Sequence, residues 1–218
     1  MSRPLALLGG TFDPVHLGHL RAAWEAAEAL DAEVHLMPAN VPPHRAQPVG
    51  SATQRVALLR AALAGQNRLR LDERELRRSG PSYTIDTLRE LRAEVGPERP
   101  LALLLGSDAF AGLPTWHEWR ELFHFAHIVV MTRPGHRSEW PPVLDAEWQA
   151  RRCEAPADLR QTAAGRIYPL AITALEISAT AVRAELAAGR EPRFLLADAL
   201  LTDPQLLTPY RRESVAGA

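Results

Sequence analysis

Two histidines stand three residues apart in the string Gly9-Gly10-Thr11-Phe12-Asp13-Pro14-Val15-His16-Leu17-Gly18-His19. At a helix start that spacing puts His16 and His19 on one face, where imidazole N–H groups can donate to phosphate oxygens as charge builds in a transition state. The rest of the string suits the same ligand. Gly9 and Gly10 let the main chain approach a phosphate closely, Asp13-Pro14 turns the chain, and Gly18 leaves room beside the first helical turn. A metal site would need a third ligand, and Asp13 is the candidate nearby. A second cluster, Ile177-Ser178-Ala179-Thr180-Ala181-Val182-Arg183, puts a hydroxyl at an expected helix N-cap. Alone, Ser178 reads as an ordinary cap. With Thr180 and Arg183 on the next turn, the helix start becomes an anion site.

Such clusters need strands and helices to carry them. Pro4 to Leu8 is a short apolar run closed by the glycine pair, and Leu17 to Leu30 has apolar residues at helical spacing, so the order is strand, tight loop, helix. Glu33 to Met37 reads as a second strand, Thr53 to Leu63 as a helix, and Arg68 to Leu71 as a third strand. A helix follows from Ile85 to Val95, with Thr84 as its expected N-cap. Strands at Leu101 to Leu105, His127 to Met131 and Ile167 to Ile172 come next, then a helix from Ala179 to Ala188 ended by Gly189. Ser138 to Leu159 is assigned as a surface excursion without catalytic content. The alternation predicts a doubly wound α/β sheet, mostly parallel with helices on both faces, in which the loops after the strands carry the chemistry.

Composition narrows the options further. A chain of 218 residues, 46% hydrophobic and 23% charged, is expected to form one domain over residues 1–218. Its net charge of -1 is spread along the length, which argues against a nucleic-acid coat or an anionic-membrane binder. No lysine occurs, so a Walker-type phosphate loop and a lysine Schiff base are both excluded. Phosphate must be held by arginine, histidine or main chain. Cys153 is the single cysteine, which rules out an internal disulfide. The apolar run before Gly9 is too brief for a signal peptide or a membrane span, so a cytoplasmic protein is expected, as a monomer or small homo-oligomer. The charged groups Arg74 to Arg78 and Tyr210 to Glu213 read as solvated faces.

The early string resembles the signature of the HxGH nucleotidyltransferases, and Ile177 to Arg183 resembles their later Ile-Ser-Ser-Thr-x-x-Arg segment, with Ala179 in place of a serine. Three middle segments resemble the bacterial nicotinate-nucleotide adenylyltransferase family within that superfamily. They are Pro38-Ala39-Asn40-Val41-Pro42-Pro43-His44-Arg45, where the family usually ends in lysine, Ser82-Tyr83-Thr84-Ile85-Asp86-Thr87-Leu88, and Leu105-Gly106-Ser107-Asp108 with Leu113-Pro114-Thr115-Trp116-His117-Glu118-Trp119. The resemblance runs from Leu5 to about Arg183, in family order.

That resemblance implies a Rossmann-like fold and direct attack of a mononucleotide phosphate on the α-phosphate of ATP, with magnesium arriving on the ATP and no metal held by the protein. It implies His16, His19 and Arg183 as catalytic residues. ATP contacts would come from these three and from Gly9, Gly10, Thr11, Phe12, Gly106, Ser178 and Thr180. Nicotinate mononucleotide would meet Tyr83, Thr84, Asp108 at a ribose, Trp116 stacked on the ring, Arg133 at the phosphate, and Arg45. Trp119 reads as core. Pantetheine-phosphate adenylyltransferase and a non-catalytic nucleotide-binding regulator are the rival readings. Class I aminoacyl-tRNA synthetases share His-x-Gly-His but need a lysine-bearing loop and a longer chain.

Overall fold

The computed structural model describes residues 3–40, 47–132 and 140–211. Six strands form one all-parallel sheet: β1 (Leu5–Gly10), β2 (Glu33–Pro38), β3 (Leu69–Leu71), β4 (Leu101–Gly106), β5 (His127–Thr132) and β6 (Ile167–Ala171), in the spatial order β3-β2-β1-β4-β5-β6. The principal helices between and after them are α1 (Leu17–Ala29), α2 (Ala52–Ala62), α3 (Thr84–Val95), α4 (Ser107–Ala111), α5 (Leu122–Phe125), α6 (Pro142–Arg151), α7 (Ala179–Ala187) and α8 (Asp198–Thr202). The doubly wound architecture expected from the alternation is therefore present. Among the described residues no helix is long and apolar enough to cross a membrane.

Continuous apolar runs form the central strands because both faces of the sheet are covered. Along β4, Ala102 and Leu104 face the core shared with α1 and α2, whereas Leu101, Leu103 and Leu105 face the core shared with α3. α1 meets the sheet through Ala22, Ala23, Ala26 and Ala27, all buried, and their small side chains let the helix lie close to the strands. Ser51 starts α2 with a reciprocal cap, its Oγ accepting from Gln54 N at 3.3 Å while Gln54 Oε1 accepts from Ser51 N at 2.8 Å. α7 stops at Gly189, whose φ of 73° only glycine adopts without strain, and Arg190 N then closes onto Glu185 O at 2.9 Å.

The pairing of β1 with β4 positions the site. It runs from Leu5↔Leu101 to Leu7↔Leu103 and ends there, although β1 continues to Gly10 and β4 to Gly106. The two central strands therefore part at their carboxyl ends, where the strand order reverses, and a crevice opens between them.

Three expectations need correction. The stretch assigned as a surface excursion carries a helix, α6, with Leu144 fully buried and the rings of Trp140 and Trp148 against Phe110 at 4.8 and 5.9 Å. Leu159 and Cys153 are buried too. Pro141 and Pro142 are exposed, and Pro142 opens α6, a position where a missing N–H costs the helix nothing, while Leu144 and the half-buried tryptophans anchor an otherwise largely exposed helix. The N-cap of α3 is Tyr83, without a side-chain cap, and Thr84 is the first helical residue. Of the groups read as solvated faces, Glu75 is 8% exposed and Tyr210 only 4%. Tertiary packing has drawn both inward, for reasons that become clear at the site.

Candidate active site

The loop from β1 to α1 forms one wall of the crevice. His16 is the N-cap of α1, and its ring stacks on that of His19 with centroids 3.6 Å apart. His16 N donates to His19 Nδ1 at 3.3 Å. Below them Phe12, 1% exposed and at a φ of 49°, sets its ring edge-on to His19 at 5.0 Å. Phe12 can therefore offer a nucleotide its main chain only. Gly18 is required here for space, since a Cβ at that position would sit 3.0 Å from His16 Nδ1.

Burial holds the His16 imidazole at about 4, so the ring is neutral near pH 7. Its Nδ1 and the Nε of Arg55 are the buried side-chain nitrogens left without a hydrogen-bond partner among the described residues. Both lie beside the same loop. Buried polar atoms are nearly always paired, so two orphans at one place mark it as built for something besides stability.

Asp13 ties distant segments to this loop. Its carboxylate accepts from Val49 N and Gly50 N, each at 2.8 Å, and from the Tyr210 hydroxyl at 2.7 Å. Burial, and then the bond to Asp13, push the Tyr210 phenol far above its ordinary value, so it stays a donor. The Asp13 carbonyl accepts from Arg183 Nη1 at 2.6 Å, and the other Arg183 nitrogen reaches Thr180 Oγ1 at 3.3 Å. Arg55, fully buried, donates to Thr11 O at 2.8 Å. The late arginine is thus joined to the early loop, as convergence on one anion requires. Ser178 caps α7, its Oγ accepting from Ala181 N at 3.1 Å.

On the other side of Gly9–Thr11 lies a cavity of about 370 Å³. Its floor is Leu7, Leu8 and Leu103 to Leu105, where β1 and β4 part, and its walls include Tyr83, Thr84, Gly106, Asp108, Trp116 and His117. Trp119 instead packs in the core, 8% exposed. Tyr83 leans on the His117 ring at 4.6 Å. Gly9, Gly10 and Thr11 line this cavity as well. Arg45 and Arg133 lie outside the described residues.

Sequence reasoning missed three residues here. Glu75 lines the cavity, Arg55 braces the loop from β1 to α1 through Thr11, and Tyr210 holds Asp13. None sits in a motif of special spacing. The one available signal was the oddness of a charged or polar residue on an otherwise buried face, which needs the fold to be seen.

A family model described as Cytidylyltransferase-like matches residues 7–185. A protein of Halorhodospira halophila named probable nicotinate-nucleotide adenylyltransferase is 51% identical over 199 residues, covering 91% of each chain. One of the same name from Pseudomonas syringae pv. tomato is 46% identical across 100% of this chain and 98% of its own. The chain belongs to the nicotinate-nucleotide adenylyltransferase family. A solved structure of the Plasmodium falciparum nicotinic acid mononucleotide adenylyltransferase complexed with NaAD shares the family's fold here, with a TM-score of 0.66 over 92% of this chain and 96% of that one. At 14% identity that likeness speaks for architecture alone. Membership in the adenylyltransferase family agrees with the splayed β1/β4 crevice and the paired histidines, and pantetheine-phosphate adenylyltransferase is not favoured.

Proposed function

We propose that this chain transfers the adenylyl group of ATP to nicotinate mononucleotide, releasing pyrophosphate and forming nicotinate adenine dinucleotide. The observation that carries the reading is the shared strip Gly9 to Asp13. Its first residues line the base cavity, and its last, Asp13, accepts from Arg183 through its carbonyl three residues before His16. Two ligands placed on either side of one strip bring their phosphates together over it.

In this reading a phosphate oxygen of the mononucleotide attacks the α-phosphorus of ATP in line, the bond to the pyrophosphate oxygen breaks, and pyrophosphate leaves with its charge. Neutral His16 and its stacked partner His19 donate to the α-phosphate as its charge redistributes. Ser178, Thr180 and Arg183, at the start of α7, hold the departing pyrophosphate. Among the described residues no three His, Cys, Asp or Glu side chains converge on one point. Magnesium is expected to arrive on the triphosphate, where it offsets phosphate charge. Trp116 stacks on the pyridine ring, Asp108 meets a ribose, and the start of α3 at Tyr83 and Thr84 receives the ring carboxylate. Arg45 and Arg133 are assigned to the mononucleotide by family likeness.

The test is pyrophosphate release with ATP and nicotinate mononucleotide, run beside the amide mononucleotide, phosphopantetheine and CTP. We expect the acid mononucleotide and ATP to be preferred. Faster turnover with phosphopantetheine or CTP, or ATP binding without any pyrophosphate release, overturns the reading.

A further inference from the structure

Glu75 is a buried carboxylate facing the cavity; among the described residues no cation is in salt-bridge contact with it, and Arg78 attracts it from a distance. Glu75 sits in the 3-10 turn Arg74–Arg77, and its Oε1 accepts from Thr87 Oγ1 at 2.9 Å. Ser82 supplies a second side-chain hydrogen bond. Both hydroxyls are primed for this, because Arg78 Nη1 donates to Thr87 Oγ1 at 2.8 Å and Asn40 N donates to Ser82 Oγ at 3.2 Å, leaving each O–H to point at Glu75. Nearby guanidiniums are committed elsewhere: Arg74 pairs with Asp72 and Glu94, and Arg78 with Glu90. The charge-bearing side chains described along the cavity are Glu75, Asp108 and His117, and no described arginine lines it. A buried carboxylate held by hydroxyl donors, with no salt-bridge contact among the described residues and only a distant attraction from Arg78, is costly in the empty protein. Burial accordingly raises its affinity for a proton.

A pyridine joined to ribose through its nitrogen carries a positive charge on the ring. We propose that Glu75 recognises that charge and is a specificity determinant of the base cavity, separate from the groups that meet the ring substituent. This rests on the adenylyl-transfer reading above. The ring is then read as a dipole, with its carboxylate toward the start of α3, its cation toward Glu75, and its face on Trp116. The ring cation is common to the acid and amide, so its recognition is separate from the reading of the ring substituent, while the carboxylate of the acid ring is repelled by Glu75.

The experiment compares wild type with Glu75→Gln on two substrates: nicotinate mononucleotide and its uncharged isostere, the 3-carboxyphenyl C-riboside 5′-phosphate. Pyrophosphate release is the readout. For the charged ring, KM is expected to rise about tenfold in the variant, while KM for the isostere moves by less than about twofold. The KM for ATP stays where it was. A loss of equal size on both rings makes Glu75 a merely structural residue and overturns the proposal, as does no loss on either. Should the variant fail to fold, competitive inhibition of wild type decides, with a cationic-ring mononucleotide expected to bind about tenfold tighter than the isostere. Equal affinities overturn the proposal. Wild type that releases no pyrophosphate with nicotinate mononucleotide defeats the reading of the reaction instead, which is a distinct result.

Discussion

The wall of the cleft proposed to hold phosphates is tied largely through main-chain atoms, and the wall proposed to hold the base through side chains that are buried or half-buried. On the first, Asp13 gathers two amide groups and a phenol while its carbonyl and that of Thr11 take arginines. On the second, Glu75, Ser82, Thr87 and Arg78 hold one another. A main-chain cradle fixes where a charge sits, so damage there should appear in the chemical step. A side-chain wall fixes which ring fits, so damage there should appear in KM.

The largest test of that division is His19→Ala. Removing the imidazole proposed to donate to the α-phosphate should lower kcat on the order of a thousandfold with little change in thermal midpoint. Ordinary turnover by that folded variant would break the assignment. Gly18→Ala comes next: its Cβ arrives 3.0 Å from His16 Nδ1, so the ring must shift. Steady-state kinetics should record a loss in kcat on the order of tenfold to a hundredfold, with KM for nicotinate mononucleotide nearly unchanged. Trp116→Ala probes the other wall. There KM for the mononucleotide should rise about tenfold while KM for ATP holds; a fall confined to kcat would erase the contrast between the two sides.

Smaller effects sharpen the picture. Tyr210→Phe removes one donor to Asp13 and should cost about 1–2 kcal/mol in denaturant unfolding, with a drop in kcat of a few-fold. The pH response of stability is subtler. Because folding lowers His16 from 6.5 to about 4, the unfolded chain binds more protons between those values. Its contribution is complete above pH 6.5 and is lost as pH falls toward 4. His127, buried at the start of β5 and also lowered, acts in the same direction. His16→Asn should therefore flatten the acid limb of the stability curve without abolishing it. An unchanged slope would mean that His16 is not buried in its neutral form.

The same contrast explains what could be read in advance. β1, β4 and β5 were legible because strands covered on both faces need unbroken apolar runs, and the histidine pair was legible because short-range spacing alone puts two rings on one face. Ser178 was also readable, since a cap is a local device, and Gly18 by its place beside the helix. Glu75 and Tyr210 were not. Their surroundings in the chain, Arg74 to Arg78 and Tyr210 to Glu213, are as charged as any solvated turn, and only tertiary packing turns one residue of each inward. The α6 segment failed for a related reason. Its prolines signal a loop locally, whereas Leu144 and the tryptophans are explained by Phe110, far along the chain.

Asp13 and Tyr210 lie 197 positions apart in sequence. During synthesis Asp13 of the histidine loop therefore leaves the ribosome 197 positions before the hydroxyl that braces it. Throughout that interval the nascent chain lacks the brace, and an insertion that displaces the segment around residue 210 would leave a folded sheet with a loosened cradle.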